Sequence, residues 1–66
     1  MTTEQVKQIT DLAFMGFVVN FDNNGFVYIR NYDGVVTLKE REIIKAHLSL
    51  FQNVAFDKYN SQMVIF

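Results

Sequence analysis

The stretch that decides the fold is residues 2–29, TTEQVKQITDLAFMGFVVNFDNNGFVYI, because residues 37–64, TLKEREIIKAHLSLFQNVAFDKYNSQMV, echo it 35 positions later. Five of the 28 aligned positions are identical, and in the first stretch they are Thr2, Ile9, Val19, Phe21 and Asp22. A period of this size is typical of one small supersecondary unit used twice. With so few identities the duplication is a hypothesis, and each stretch is interpreted from its own residues.

The first stretch begins with a helix signal. Thr2 is a good N-cap, and Gln5 can return a hydrogen bond to the backbone of the cap. The residues that follow place one apolar face at helical spacing, formed by Val6, Ile9, Leu12 and Ala13. Gly16 is well placed to end the helix in a left-handed conformation. Phe14 falls outside the apolar stripe, so it either packs onto the following strand or is an exposed anchor for a partner.

The next segment, Phe17 to Arg30, predicts a β-hairpin around the turn Asp22–Gly25. A two-residue loop at Asn24 and Gly25 would make a type I′ turn, whereas a three-residue loop would place Gly25 at a left-handed bulge. A slip of one residue inverts every side chain of a strand. We predict the three-residue loop, because it puts the aliphatic residues on one face and the polar and aromatic residues on the other.

The remaining elements follow from the same signals. Asn31 to Gly34 predicts another turn, after which Val35 and Val36 can form a short third strand. Thr37 and Glu40 form a second capping box. That box predicts a helix from Leu38 to about Phe51, with a buried arc of Ile43, Ile44, His47, Leu50 and Phe51. Residues 54–57 and 62–66 predict a last hairpin.

This order predicts an α+β fold, a two-layer sandwich in which an antiparallel sheet of four to five strands carries two helices on one face. The element order is α-β-β-β-α-β-β, with an αββ pseudo-repeat as a hypothesis. At 66 residues, the chain is expected to be a single small domain over residues 1–66. One face of so small a sheet can then remain without a covering layer.

Composition limits the functional classes. Half of the residues are hydrophobic and none is cysteine, so apolar surface is in surplus and no disulfide supplements the core. This surplus favours a homodimer. The net charge of −1 contains no run of like charges, which argues against a nucleic-acid arm. Without a long apolar run or a signal-peptide pattern, a cytoplasmic location with no membrane contact is expected.

The residues offer no catalytic apparatus, and we expect neither an enzyme nor a cofactor or metal. His47 has no second histidine or cysteine with which to bind zinc, so a core or interface role is favoured. Ser49 and Ser61 lack a nucleophile context. The carboxylates fall in turns or in the first turn of a helix, where a structural role suffices.

One constellation favours a function: Phe26, Tyr28, Arg30 and Tyr32 alternate along one strand and would share a face. Tyrosine and arginine are enriched in protein-binding hot spots. We therefore predict a non-enzymatic protein-interaction module that binds an unidentified protein, with Phe14 extending the surface. Single-stranded nucleic-acid binding by the same aromatic face is the alternative, and cross-strand pairing that only stabilises the sheet is a third. The composition is typical of small bacterial or phage accessory proteins.

Overall fold

The computed structural model describes all residues, 1–66, and it confirms the α+β arrangement. The element order is α-β-β-α-β-β, and the bounds are α1 Thr3–Phe14, β1 Val18–Phe21, β2 Val27–Arg30, α2 Leu38–His47, β3 Val54–Asp57 and β4 Gln62–Ile65. The four strands form one sheet in the order β1-β2-β4-β3, and every neighbouring pair is antiparallel. Strands β2 and β4 are therefore central, and β1 and β3 are the edges.

Both helices begin at the predicted capping boxes. The Thr2 hydroxyl accepts from the Gln5 N–H at 3.1 Å and the Gln5 amide oxygen accepts from the Thr2 N–H at 2.9 Å. Thr37 and Glu40 repeat the reciprocal pair at 3.2 and 3.0 Å. These bonds satisfy backbone donors that the first helical turn leaves free.

Helix α1 ends in a Schellman motif, as its glycine predicts. The Phe17 N–H donates to the Leu12 carbonyl at 3.2 Å and the Gly16 N–H donates to the Ala13 carbonyl at 3.1 Å. Gly16 has a φ of 102°, a left-handed value that a side chain would strain. The chain thereby turns directly from α1 into β1.

Helix α2 is shorter than predicted, because it ends at His47 rather than near Phe51. Leu48 leaves the helical conformation with φ −101° and ψ 35°, and its side chain is only 1% exposed. It occupies the core position that the sequence pattern assigned to Leu50, which is 50% exposed. The chain after α2 is held instead by α1, since the Gln8 amide oxygen accepts from the Leu50 N–H at 3.1 Å.

The predicted third strand at Val35 and Val36 is absent, so the sheet has four strands and no fifth. Side chains satisfy this backbone instead of a neighbouring strand. The Val36 N–H donates to the Ser61 hydroxyl at 2.9 Å, and the Asn31 amide donates to the Val35 carbonyl at 3.1 Å. Val36 is 1% exposed, so this segment contributes a side chain to the core without joining the sheet.

The register of the first hairpin is the one predicted. Phe21 pairs with Val27, and the Asp22 N–H donates to the Phe26 carbonyl at 3.0 Å. The loop between Asp22 and Phe26 therefore has three residues, the last of which, Gly25, is in a left-handed conformation. The residues of β2 and β4 that alternate onto one face join residues of both helices in a single core. That core comprises Ile9, Leu12, Val27, Ile29, Val36, Ile44, Leu48, Met63 and Ile65. Both helices therefore cover the same face of the sheet.

The αββ pseudo-repeat is not confirmed, although the element order is compatible with it. The two N-caps, Thr2 and Thr37, lie 35 positions apart, whereas the buried β2 residue Val27 and the buried β4 residue Met63 lie 36 apart. A constant offset of 35 would match Val27 with Gln62 and Ile29 with Val64. These β4 residues point away from the core, whereas Val27 and Ile29 point into it. The matched positions are also ones that caps and turns demand in any chain.

Candidate functional site: the open face of the sheet

The side of the sheet that faces away from both helices has no second layer, and we call it the open face. The strand registers align its side chains in two rows that cross all four strands in the order β1-β2-β4-β3. One row is Asn20, Tyr28, Val64 and Ala55, and the other is Val18, Arg30, Gln62 and Asp57. None of the eight residues is buried.

An aromatic cluster lies at one end of this face. The Phe26 and Tyr28 rings meet edge to face with their centroids 6.5 Å apart, a favourable geometry for their quadrupoles. Phe66 continues β4, since its N–H donates to the Asn53 carbonyl at 3.0 Å. Alternation then puts Phe66 on the same side as Val64. Phe26 is 39% exposed and Phe66 is 58% exposed, so the cluster is open to contact.

Tyr28 is held in place by the turn of its own hairpin. Its hydroxyl donates to the Asp22 carboxylate at 2.7 Å, and that carboxylate also accepts from the Asn24 and Phe26 N–H groups, each at 2.9 Å. The bond from Tyr28 is the main cause of a lowered pKa at Asp22, and the backbone donors add to it. The same bond raises the pKa of Tyr28, because only the protonated hydroxyl can donate it, and the negative charge of Asp22 adds to the effect.

A second carboxylate on this face is held in its charged form in the same way. Asp57 accepts from the Asn60 amide at 2.8 Å and from the Gln62 amide at 3.3 Å. The bond from Asn60 is the largest cause of the lowered pKa of Asp57. Arg30 is the one cationic side chain in the two rows. The open face therefore has an apolar centre and a rim in which negative charge exceeds positive charge.

The structure brings together only some of the residues that the sequence pattern grouped. Phe26, Tyr28 and Arg30 share the open face, as alternation predicts. Tyr32 lies beyond the end of β2, in the turn of residues 31–34, and is 84% exposed. Phe14 is 86% exposed, so it does not pack onto the following strand, but it belongs to the helix layer on the other side of the sheet. It therefore does not extend the open face.

Val64 and Phe66 are part of the open face and were missed by the sequence interpretation. Alternation along residues 62–66 places Val64 and Phe66 on one face of their strand. No pattern in the neighbouring sequence indicates that β4 pairs with β2. The fixed offset of 35 also obscured this relation, because it matches Tyr28 with Met63. In the sheet Tyr28 pairs directly with Val64.

The single histidine lies away from the open face, on α2. His47 is half-buried and its Nδ1 lies 3.0 Å from the Ile43 carbonyl, so this nitrogen is the donor of that bond. A shallow polar groove of about 380 Å³ lies between α1 and α2 and is lined by His47 together with Glu4, Lys7, Gln8, Asp11, Ala46 and Leu50. No group of three or more histidine, cysteine or acidic side chains is placed to hold a metal ion.

Neither helix is long and apolar enough to cross a bilayer. The chain matches no protein-family model, no curated protein and no solved structure. Its function must therefore be inferred from its own surface.

Proposed function

We propose that this protein is a non-enzymatic interaction module that binds another protein through the open face. The observation that carries the proposal is a four-stranded sheet with no second layer over an apolar, partly aromatic centre. Phe26 and Phe66 of the open face are among the twelve large apolar side chains that the chain exposes. Large contiguous apolar patches on a protein surface mark interaction sites.

The centre of the open face has the composition of a binding hot spot. Tyr28, Phe26, Val64 and Phe66 supply apolar area, and Tyr and Arg are the residue types that most often dominate binding energy. Tyr28 is also fixed before binding, by its bond to Asp22 and its contact with Phe26. A side chain that is already ordered loses little entropy when a partner covers it.

The rim indicates the chemistry of the partner. Asp22 and Asp57 are ionised at neutral pH, since their pKa values lie below the ordinary 3.8, and Arg30 is the one cationic side chain in the two rows. A partner that places apolar side chains at the centre and a basic group near Asp22 or Asp57 would be complementary. A cytoplasmic place of action belongs to the same proposal, since the chain has none of the disulfides of small secreted domains.

The same charges weigh against single-stranded nucleic acid, which the aromatic face could otherwise stack. A strand binder combines its stacking platform with a positively charged groove, whereas the open face carries one cation, Arg30, and two carboxylates, Asp22 and Asp57. Titration with a labelled oligonucleotide at low and at moderate salt separates the two functions. Binding that weakens steeply with salt would favour nucleic acid, and its absence at low salt would leave protein binding.

The test compares three variants of the tagged protein in affinity capture followed by mass spectrometry. Tyr28→Ala removes the central anchor, and Ala55→Arg adds a bulky charge to an exposed position on the same face. Tyr59→Ala is the matched control, because Tyr59 is 89% exposed in the β3–β4 turn. We expect a protein that is captured by the wild type and the control and is lost, at least tenfold, with the other two variants.

Circular dichroism of each variant checks that the fold is kept. Capture that is equal for all four proteins would refute the open face as the binding surface. If Tyr28→Ala unfolds the chain, the Ala55→Arg variant decides, since it removes no packing from the core.

A further inference from the structure

A second apolar surface lies on the opposite side of the sheet from the open face, between α1 and the edge strand β1. This α1–β1 groove has a volume of about 290 Å³ and is lined by Met1, Val6, Ile9, Thr10, Ala13, Val19 and Phe21. None of these side chains is ionisable. Phe21 at its rim is 63% exposed and Val6 is 50% exposed. The proposed binding function does not use this groove.

The other edge of the sheet, at β3, has the same layout but is lined by charged side chains of α2. Arg41 lies four positions after the N-cap Thr37, as Val6 lies four positions after Thr2. The guanidinium of Arg41 covers the Phe56 ring, 3.5 Å from its centroid, and Phe56 is half-buried as a result. Lys45 and Glu42 also line this side. Charged side chains beside an edge strand disfavour its pairing with another chain, and no charged side chain of α1 lines the groove beside β1.

The backbone of β1 is also free to pair. The Asp22 N–H donates to the Phe26 carbonyl at 3.0 Å, which makes these two residues a hydrogen-bonded pair of the hairpin. Hydrogen-bonded and open pairs alternate along an antiparallel ladder. Asn20 therefore bonds to β2, while the N–H and C=O groups of Val19 and Phe21 point outward from the sheet.

We propose that a second copy of this chain occupies the α1–β1 groove, pairing β1 with β1 in antiparallel fashion about a two-fold axis at Asn20. This register uses the outward groups of Val19 and Phe21 and places Phe21 opposite the partner's Val19. Directly opposed side chains lie about 5 Å apart, so each Phe21 ring packs into the groove of the other protomer. The two sheets join into one of eight strands.

Three features favour a second copy over another occupant. The surface is self-complementary, as a two-fold interface requires, because it supplies both the groove and the ring that fills it. The groove, at about 290 Å³, is at the lower limit of the roughly 300–1,000 Å³ that small-molecule sites occupy. At the β3 edge the charged side chains of Arg41, Glu42 and Lys45 disfavour pairing of β1 with β3, which would extend into a filament, so we expect assembly to stop at two chains.

The apolar area that the groove exposes is suited to a dimer of weak affinity. A standard interface takes about 800 Å² from each partner, roughly a sixth of the 4606 Å² that the chain exposes. The exposed parts of Met1, Val6 and Phe21, which line the groove, alone amount to on the order of 350 Å². We therefore expect a dissociation constant in the range of about 1–100 µM.

Sedimentation equilibrium at chain concentrations from about 5 to 500 µM tests the proposal. The variants are in the α1–β1 groove, and one of them copies the arrangement at the β3 edge. Val6→Arg places an arginine beside β1, as Arg41 lies beside β3. Phe21→Ser removes the ring that is proposed to enter the groove of the other protomer. Val35→Arg is the matched control, since it makes the same exchange at an exposed valine outside the groove. We expect the wild type and the control to approach twice the chain mass of 7.7 kDa and the first two variants to weaken association at least tenfold.

Hydrogen exchange provides a second measurement. In the dimer the Val19 and Phe21 amides become protected as concentration rises, whereas the Asn20 amide is protected in the monomer already. A wild type that stays monomeric at 500 µM overturns the proposal, as does dimerisation that survives both groove variants. Dimerisation that is lost with Tyr28→Ala but kept with Val6→Arg would place the contact on the open face instead, while loss of partner capture alone bears only on the proposed function.

Discussion

The exchange of Leu48 for alanine tests the point at which α2 ends, because that end decides which leucine enters the core. Leu48 is 1% exposed and Leu50 is 50% exposed. Leu48→Ala removes three buried carbons, worth about 0.8 kcal/mol each, and leaves a cavity in a core of nine residues. We expect a loss of about 3 kcal/mol in unfolding free energy, within the measured range of about 2–5 for such exchanges.

Leu50→Ala is the matched control, since it deletes the same atoms and changes the unfolded chain in the same way. Half of its side chain already meets water and no closed cavity forms, so we expect a loss of about 1 kcal/mol. Urea unfolding followed by circular dichroism, at a concentration where the chain is monomeric, measures both. With an m-value of about 1 kcal/mol per molar for a small domain, the two midpoints should differ by roughly 2 M. Equal losses, or a larger loss for Leu50→Ala, would show that α2 continues past His47.

Two further predictions concern the turn of the first hairpin and the start of α2. Because the pKa of Asp22 is lowered in the folded state from its ordinary 3.8, its carboxylate stabilises the fold above about pH 4 and this contribution is lost as the pH falls through the folded value. Asp22→Asn should therefore lower the unfolding free energy by an amount that is constant above about pH 5 and shrinks below pH 4; a difference that does not change with pH would contradict the hydrogen-bonding account. Thr37→Ala removes the α2 cap and should cost about 1 kcal/mol, seen by calorimetry as a melting temperature lower by about 4–8 °C. Thr37→Ser, which keeps the hydroxyl, should retain most of that stability, and an equal loss in both variants would mean that the cap bond does not matter.

Much of the candidate site could be predicted from the sequence, because it depends on alternation within one strand. Once the turn at Asp22–Gly25 has three residues, Phe26, Tyr28 and Arg30 must share a face. Phe14 and Tyr32 were grouped with them because of their residue types and their proximity in sequence. Both side chains are exposed, but neither lies on the open face. Phe14 lies in the helix layer and Tyr32 lies past the end of β2.

The sequence by itself determined the features whose causes lie within a few residues. Both capping boxes, the glycine that ends α1 and the hairpin register depend on hydrogen bonds and backbone conformations between near neighbours, and all of them are as predicted. Tertiary structure alone decided the rest. The pairing of β2 with β4 makes β1 an edge and brings Val64 beside Tyr28. The Ser61 hydroxyl accepts from the Val36 N–H where a fifth strand was expected. The Gln8 amide oxygen accepts from the Leu50 N–H where a last turn of α2 was expected. Such contacts join residues 25 to 42 positions apart, and no local pattern specifies which distant partner will satisfy a backbone group.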